Sequence, residues 1–375
     1  MSNVSDFVNF DNGNVLGELV YINDTEKANV PQNGFLKCDG QVVSKSTYSN
    51  LYPIIGDYLQ IVETSNSFSQ QTAFSSRDII YDGTRFVMVG DATIRYSTNG
   101  TTWTSRSPTG LSSKGFNKII YVPTDSKYVM AGYNTSLSNS NIVIYPDITL
   151  TTGFTLVNST TTSTINALTY GNGLYVYAGN GGVLATSTNA VTWTDRTSGT
   201  VSTINALAYG NGVYVYGGNG GVIATSTDGI TWVNRTSGTT SAIRGLVYAK
   251  DRFICCGAGG TLRTSTDGIT WSALTSGTTE QIEDIKYNDN IFVYHTTVKT
   301  VGFSFDGINW RNIQLTYPAS SIATLIYNDR KIYYSNGTTS NSIVSTTFTY
   351  NPNTSFALPN TVRTVDTDEY LYIKY

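Results

Sequence analysis

Charge is what this sequence has least of: Asp, Glu, Lys and Arg make up 13% of its 375 residues, about half the share of an average soluble protein. The formal net charge is −3 and no basic run gathers the lysines and arginines, which excludes nucleic acid and an anionic membrane surface as main partners. Long apolar runs are missing too. No stretch approaches the ~20 apolar residues of a membrane span, which argues against membrane insertion, and residues 1–10 lack the basic and apolar regions of a secretory signal. Folding in the cytoplasm where it is made is therefore expected. The three cysteines, Cys38 and the adjacent Cys255 and Cys256, cannot form a disulfide framework and read as small buried hydrophobes. Histidine occurs once, as His295 in Val293-Tyr294-His295-Thr296, where the spacing of a strand makes it a packed residue rather than a catalytic base or a zinc ligand.

Repetition fills the space that these absences leave. Trp193, Trp232, Trp271 and Trp310 recur every 39 residues, at or just below the ~40 to 50 residue period of a four-stranded propeller blade. Each unit alternates β-branched and aromatic residues, with Val213 and Val215 on one side and Tyr214 and Tyr216 on the other. Gly-Asn-Gly and Asp-Gly turns punctuate it, and an apolar period of 3.6 is absent, which excludes a helical solenoid. The most legible unit predicts strands over 204–209, 213–216, 222–227 and 231–236. The template fits 165–197, 243–275 and 282–313, and more loosely 78–107 with Trp103. A decayed copy has strands at 117–122, 127–132, 141–145 and 154–157, with Phe154 in the Trp position 39 residues before Trp193. A last copy, 322–327, 331–335 and 342–348, lacks an outer strand, and 58–64 is expected to supply it by pairing with 342–348 and closing the ring. The expected fold class is all-β: a propeller of about seven four-stranded blades over 58–350, or six if the last copy is only an extension.

The repeated turn, Ser226-Thr227-Asp228-Gly229-Ile230-Thr231-Trp232 and its copies around Ser265, Asp267, Trp271 and Ser304, Asp306, Trp310, resembles the Asp-box of sialidase-type propellers, with one residue fewer between Asp and Trp. Its roles are structural: Asp and Ser cap the turn, Gly takes positive φ, and Trp fills the space between blades. One acid per turn does not make a calcium site, which needs six to eight converging oxygens, so no metal and no cofactor are expected. A glycan hydrolase of the sialidase type would need facing carboxylates or an arginine cluster with a Tyr/Glu pair, and the repeats display neither. No enzyme activity and no catalytic residue are expected.

The ends of the chain differ from the middle. Pro31-Gln32-Asn33-Gly34-Phe35-Leu36-Lys37-Cys38-Asp39-Gly40, followed by Ser44, Tyr48, Leu51 and Ile55-Gly56, resembles the phage tail collar domain of short tail fibres and other tail-tip proteins. The Phe-x-Leu-Pro of that family's second half matches Phe356-Ala357-Leu358-Pro359, beyond the repeats, and Tyr370-Leu371-Tyr372-Ile373-Lys374-Tyr375 is similar to its terminal strand. The family's Leu-Arg-Gly-Arg segment is replaced by Asn360-Thr361-Val362-Arg363-Thr364. The resemblance implies a discontinuous collar-like domain, 1–57 with 351–375, into which the propeller is inserted, and packing of Phe35, Cys38 and Tyr48 on Phe356, Leu358 and Tyr372.

A tail protein located in the virion follows from that resemblance, with other phage tail proteins as partners and a homo-oligomer compatible with it. The collar would attach to the tail, and the propeller would be displayed to a host-surface glycan or receptor; the alternative is a purely structural or assembly role. Low charge with many Tyr and Asn suits a neutral glycan. The expected binding residues ring one axial mouth at the starts of the inner strands, Arg77, Asn117, Asn166, Asn205, Arg244 and Glu283, joined by Tyr133 and Asn134 of the 133–140 loop. These positions are polar where their neighbours are apolar, which the fold alone does not demand.

Overall fold

The computed structural model describes residues 75–347, except for 92, 107–110, 112–113, 135–140, 149–152, 316–321, 330 and 336–341, together with strands at 19–22, 35–37, 42–44, 66–70, 355–357 and 370–374. Contacts divide the chain into two compact units, residues 1–64 with 347–375 and residues 65–346.

The second unit consists of seven four-stranded antiparallel sheets. Six are built from consecutive strands, with inner strands Ser76–Tyr81, Lys114–Val122, Ile165–Gly171, Ile204–Gly210, Ile243–Ala249 and Ile282–Asn288; these are blades 1 to 6. The remaining sheet, the closing blade, joins Thr324–Asn328, Lys331–Ser335 and Ser342–Thr347 to Asn66–Gln70 from the other end of the repeats. Inner strands contact their neighbours in turn around the ring, and that of the closing blade contacts those of blades 6 and 1.

The closing strand is therefore N-terminal, as expected, but it is not 58–64. Asn66–Gln70 pairs with the third strand, Asn66 opposite Thr346 and Gln70 opposite Ser342, and residues 58–64 lie outside the described residues. The reason is the character of the outer strands. They are short, two to four residues in blades 1 to 6, as in Thr194–Asp195, Val233–Arg235 and Ser272–Ala273. The predicted 231–236 shrinks to three residues in the same way.

Alternation on both sides of a strand is explained by the core. In blade 4 the second strand, Val213–Gly218, sends Tyr214 and Tyr216 to the interface with blade 3, and Val215 to the interface with blade 5, beside Phe253 and Cys255. Both sheet faces are covered by neighbouring blades, so both carry apolar side chains, each stabilising the ring by roughly 1.5–3 kcal/mol. Trp193, Trp232 and Trp310 stack on Tyr177, Tyr216 and Tyr294 with ring centroids 4.7, 5.0 and 5.2 Å apart. Phe154 takes the same place against Tyr145 at 5.3 Å.

In the other unit, Leu19–Ile22 and Phe35–Lys37 pair on either side of Tyr370–Lys374, and Val42–Ser44 pairs with Ser355–Ala357. The two ends of the chain thus interleave, Lys37 opposite Tyr372 and Val43 opposite Phe356. The packing expected of the Phe35, Cys38 and Leu358 side chains lies outside the described residues.

Candidate functional site

An antiparallel meander gives the ring two faces. One, the turn face, carries the first-to-second and third-to-fourth strand turns; the other, the bulge face, carries the second-to-third strand loops and the starts of the inner strands.

On the turn face the repeated Asp is a cap. Asp228 Oδ1 accepts the Ile230 and Thr231 amides at 2.8 Å each and the Ser226 hydroxyl at 2.8 Å. These bonds to Thr231, Ile230 and Ser226 pull its carboxyl down to about 2. Gly229 has φ +71°, and its carbonyl accepts Trp232 Nε1 at 3.1 Å. Asp267 and Asp306 repeat the arrangement with Ser265 and Ser304, and Trp271 Nε1 bonds to the Gly268 carbonyl. Asn189 and Asn99 make the same backbone bonds in blades 3 and 1, so the carboxylate charge is not what the turn uses.

The expected rim residues share one backbone feature. Each inner-strand pairing of blades 1 to 6 skips one residue, and the skipped residues are Arg77, Asn117, Asn166, Asn205, Arg244 and Glu283. A bulge re-aims its extra side chain; here the aim is the next blade. Asn117, Asn166 and Asn205 donate side-chain amides to the carbonyls of Ile165, Ile204 and Ile243 at 2.9, 3.3 and 2.8 Å. Arg244 meets Glu283 of the following blade at 3.2 Å, and Gln281 Nε2 donates to the same carboxylate at 2.6 Å. Arg77 reaches Asp91 Oδ1 at 3.3 Å and the Tyr133 hydroxyl at 3.2 Å, its guanidinium 5.1 Å from the Tyr133 ring centroid. Partial burial pushes the Asp91 carboxyl upward, but the Tyr133 hydroxyl and Arg77 hold it below the ordinary range. Asn134 ends the second strand of blade 2, opposite Lys114.

Polarity at these positions has a use within the fold that the expectation did not include: these side chains stitch one blade to the next. The loop glycines are similar. A Cβ on Gly221 would lie 2.0 Å from the Thr239 carbonyl oxygen, and one on Gly182 2.0 Å from that of Thr200, so close approach there serves the protein's own backbone.

Between the two mouths runs an axial cavity of about 270 Å³ lined by the inner strands. Lys286 Nζ bonds to Asp78 and lies 3.9 Å from Asp284, and Lys118 Nζ lies 3.2 Å from Asp284. Burial pushes the Asp284 carboxyl upward, yet Lys118 and Lys286 hold it below its usual range; burial works against the Lys118 ammonium, yet Asp284 and Asp78 hold it up. His295, opposite Asp284 in the strand register, is buried, and neither ring nitrogen has a hydrogen-bond partner among the described residues. Burial drives it down to about 4, so it is neutral. Cys255 and Cys256 are buried free thiols, and burial pushes Cys255 up to about 12.

A feature the sequence reading passed over lies at the turn-face mouth. Each of the first six inner strands carries a tyrosine just before its turn: Tyr81, Tyr121, Tyr170, Tyr209, Tyr248 and Tyr287, all half-buried. The signal was present as a tyrosine at one fixed place in each copy.

Residues 26–59 match the Phage Tail Collar Domain family. The chain therefore carries a tail collar domain, which supports a phage tail protein in general terms. Comparison with curated proteins gives no match. Among solved structures it is similar to virginiamycin B lyase from Staphylococcus aureus, with 11% identity over 76% of this chain and 100% of the lyase and a TM-score of 0.64. The WD40 β-propeller domain of Doa1 shares 13% identity over 77% of this chain and 97% of that one, with a TM-score of 0.61. YCF48 bound to D1 peptide shares 14% over 78% and 98%, with a TM-score of 0.58. At these identities the likeness shows the fold alone.

Proposed function

We propose that this is a tail-fibre or tail-tip type protein whose collar unit attaches to the virion tail and whose propeller binds a receptor or glycan on the host surface. The observation that carries it is the way the chain is threaded. Both chain ends belong to one unit with the tail collar domain, while the propeller starts and stops at residues that face each other, Asn66 opposite Thr346. A disc inserted through two neighbouring strands can be exchanged without disturbing the attachment unit, which suits a specificity module. Binding rather than hydrolysis is favoured because the channel acids Asp78 and Asp284 are tied to Lys286 and Lys118. Fluorescently labelled full chain should bind host cells saturably. Absence of binding to cells that the phage itself adsorbs to would leave a structural or assembly role.

A further inference from the structure

We propose that the turn-face mouth, along the arc of Tyr170, Tyr209, Asn172 and Asn211, is a binding site for an uncharged saccharide. This rests on the receptor-binding reading above and gives it a place and a ligand chemistry.

The rings are held from beneath. Tyr170 lies against Tyr175 and Tyr209 against Tyr214, each with centroids 4.5 Å apart. Tyr209 also lies over Gly171 of the preceding blade, so closely that a Cβ there would come within 2.1 Å of its ring. Packing fixes both rings, and both residues remain half-buried. The hydroxyls of Tyr170 and Tyr209 make no hydrogen bond among the described residues, and neither is a buried unsatisfied atom, so both open to solvent.

Beside each ring stands an amide. Asn172 and Asn211 begin the following turns with φ +46° and +49°, are exposed, and have no side-chain hydrogen bond among the described residues. The corresponding turns of blades 5 and 6 carry Lys250-Asp251 and Asp289-Asn290, so the arc across blades 3 and 4 is a neutral stretch of a rim that is otherwise charged. On the same face the third-to-fourth strand turns of blades 3 to 6 each carry an exposed apolar residue, Val191, Ile230, Ile269 and Ile308, so it is the inner turns that set blades 3 and 4 apart. The bulge face offers the contrast: its amides are spent on the next blade. Tyrosine rings with free hydroxyls beside uncharged free amides on the inner turns are what the C–H faces and hydroxyls of a neutral sugar engage.

The test uses the full chain on a printed array of neutral and acidic oligosaccharides, with cell binding measured alongside. The double variant N172G/N211G keeps the positive φ and removes both amides. It should weaken retention on neutral oligosaccharides about tenfold or more, as loss of one or two hydrogen bonds implies, and Y209F should weaken it less. V201S, in the linker on the bulge face, should bind as wild type. Equal binding by N172G/N211G, loss by V201S, or wild-type retention only on acidic oligosaccharides overturns the proposal. So does cell binding abolished by protease but not by periodate, which would mark a protein receptor and leave the receptor-binding reading standing. Failure of the wild-type chain to bind cells at all removes both.

Discussion

Lys118 and Asp284 meet across the axial channel at 3.2 Å, one in blade 2 and the other in blade 6. With Lys286 reaching Asp78 of blade 1, the group braces the three blades around the closing blade, the place where the two ends of the repeats are joined. Removing one partner of a half-buried pair leaves the other poorly solvated. Lys118→Met should therefore destabilise the propeller by about 2 kcal/mol, and pairing it with Asp284→Leu should recover most of that loss. Urea midpoints of the single and double variants check this.

The bulge residues should report on blade stitching rather than on a ligand. Asn205→Ala removes the amide bonds to Ile243 and Asn219. The expected loss is about 1–2 kcal/mol, a fall of roughly 2–6 °C in Tm for a unit of this size. An unchanged Tm would return Asn205 to the list of free binding groups.

Two adjacent glycines separate backbone strain from collision. Gly220 and Gly221 both have φ +71°, but a Cβ on Gly220 meets nothing within 4 Å while one on Gly221 meets the Thr239 carbonyl. Gly220→Ala should cost about 1 kcal/mol, the left-handed penalty alone. Gly221→Ala should cost clearly more, and equal Tm values for the two would contradict the geometry.

Acid should loosen blade 6. His295 has its folded value lowered from 6.5 to about 4 by burial, with Asp284 opposing that shift and Lys286 and Lys118 assisting it. The unfolded chain takes up the proton first, so this contribution to stability is complete above pH 6.5 and is lost as pH falls toward 4. At ~1.4 kcal/mol per unit it amounts to about 3 kcal/mol. Denaturation midpoints between pH 7 and 4 should fall for the wild type and flatten for His295→Leu.

The blades were legible because repetition, turn chemistry and two-sided alternation all point to one architecture. The closing strand was not, since Asn66-Ser67-Phe68-Ser69-Gln70 has the plain polar character of an outer strand, and only its partner's register identifies it. The rim residues were legible, but the bonds they make between blades were not. Their polarity is visible in sequence, whereas the skipped pairing that turns Asn166 or Asn205 toward the next blade is a property of the ladder. Tyr170 and Tyr209 were passed over because packing and exposure look alike until the hydroxyl's surroundings are known.

The most direct test of a receptor-binding propeller is competition for adsorption. Host cells are incubated with increasing full-chain protein before phage is added, and the rate at which free phage disappears is followed. Saturation of the cells by the protein should slow that rate in proportion to the sites occupied; an adsorption rate unchanged at saturating protein would contradict the account.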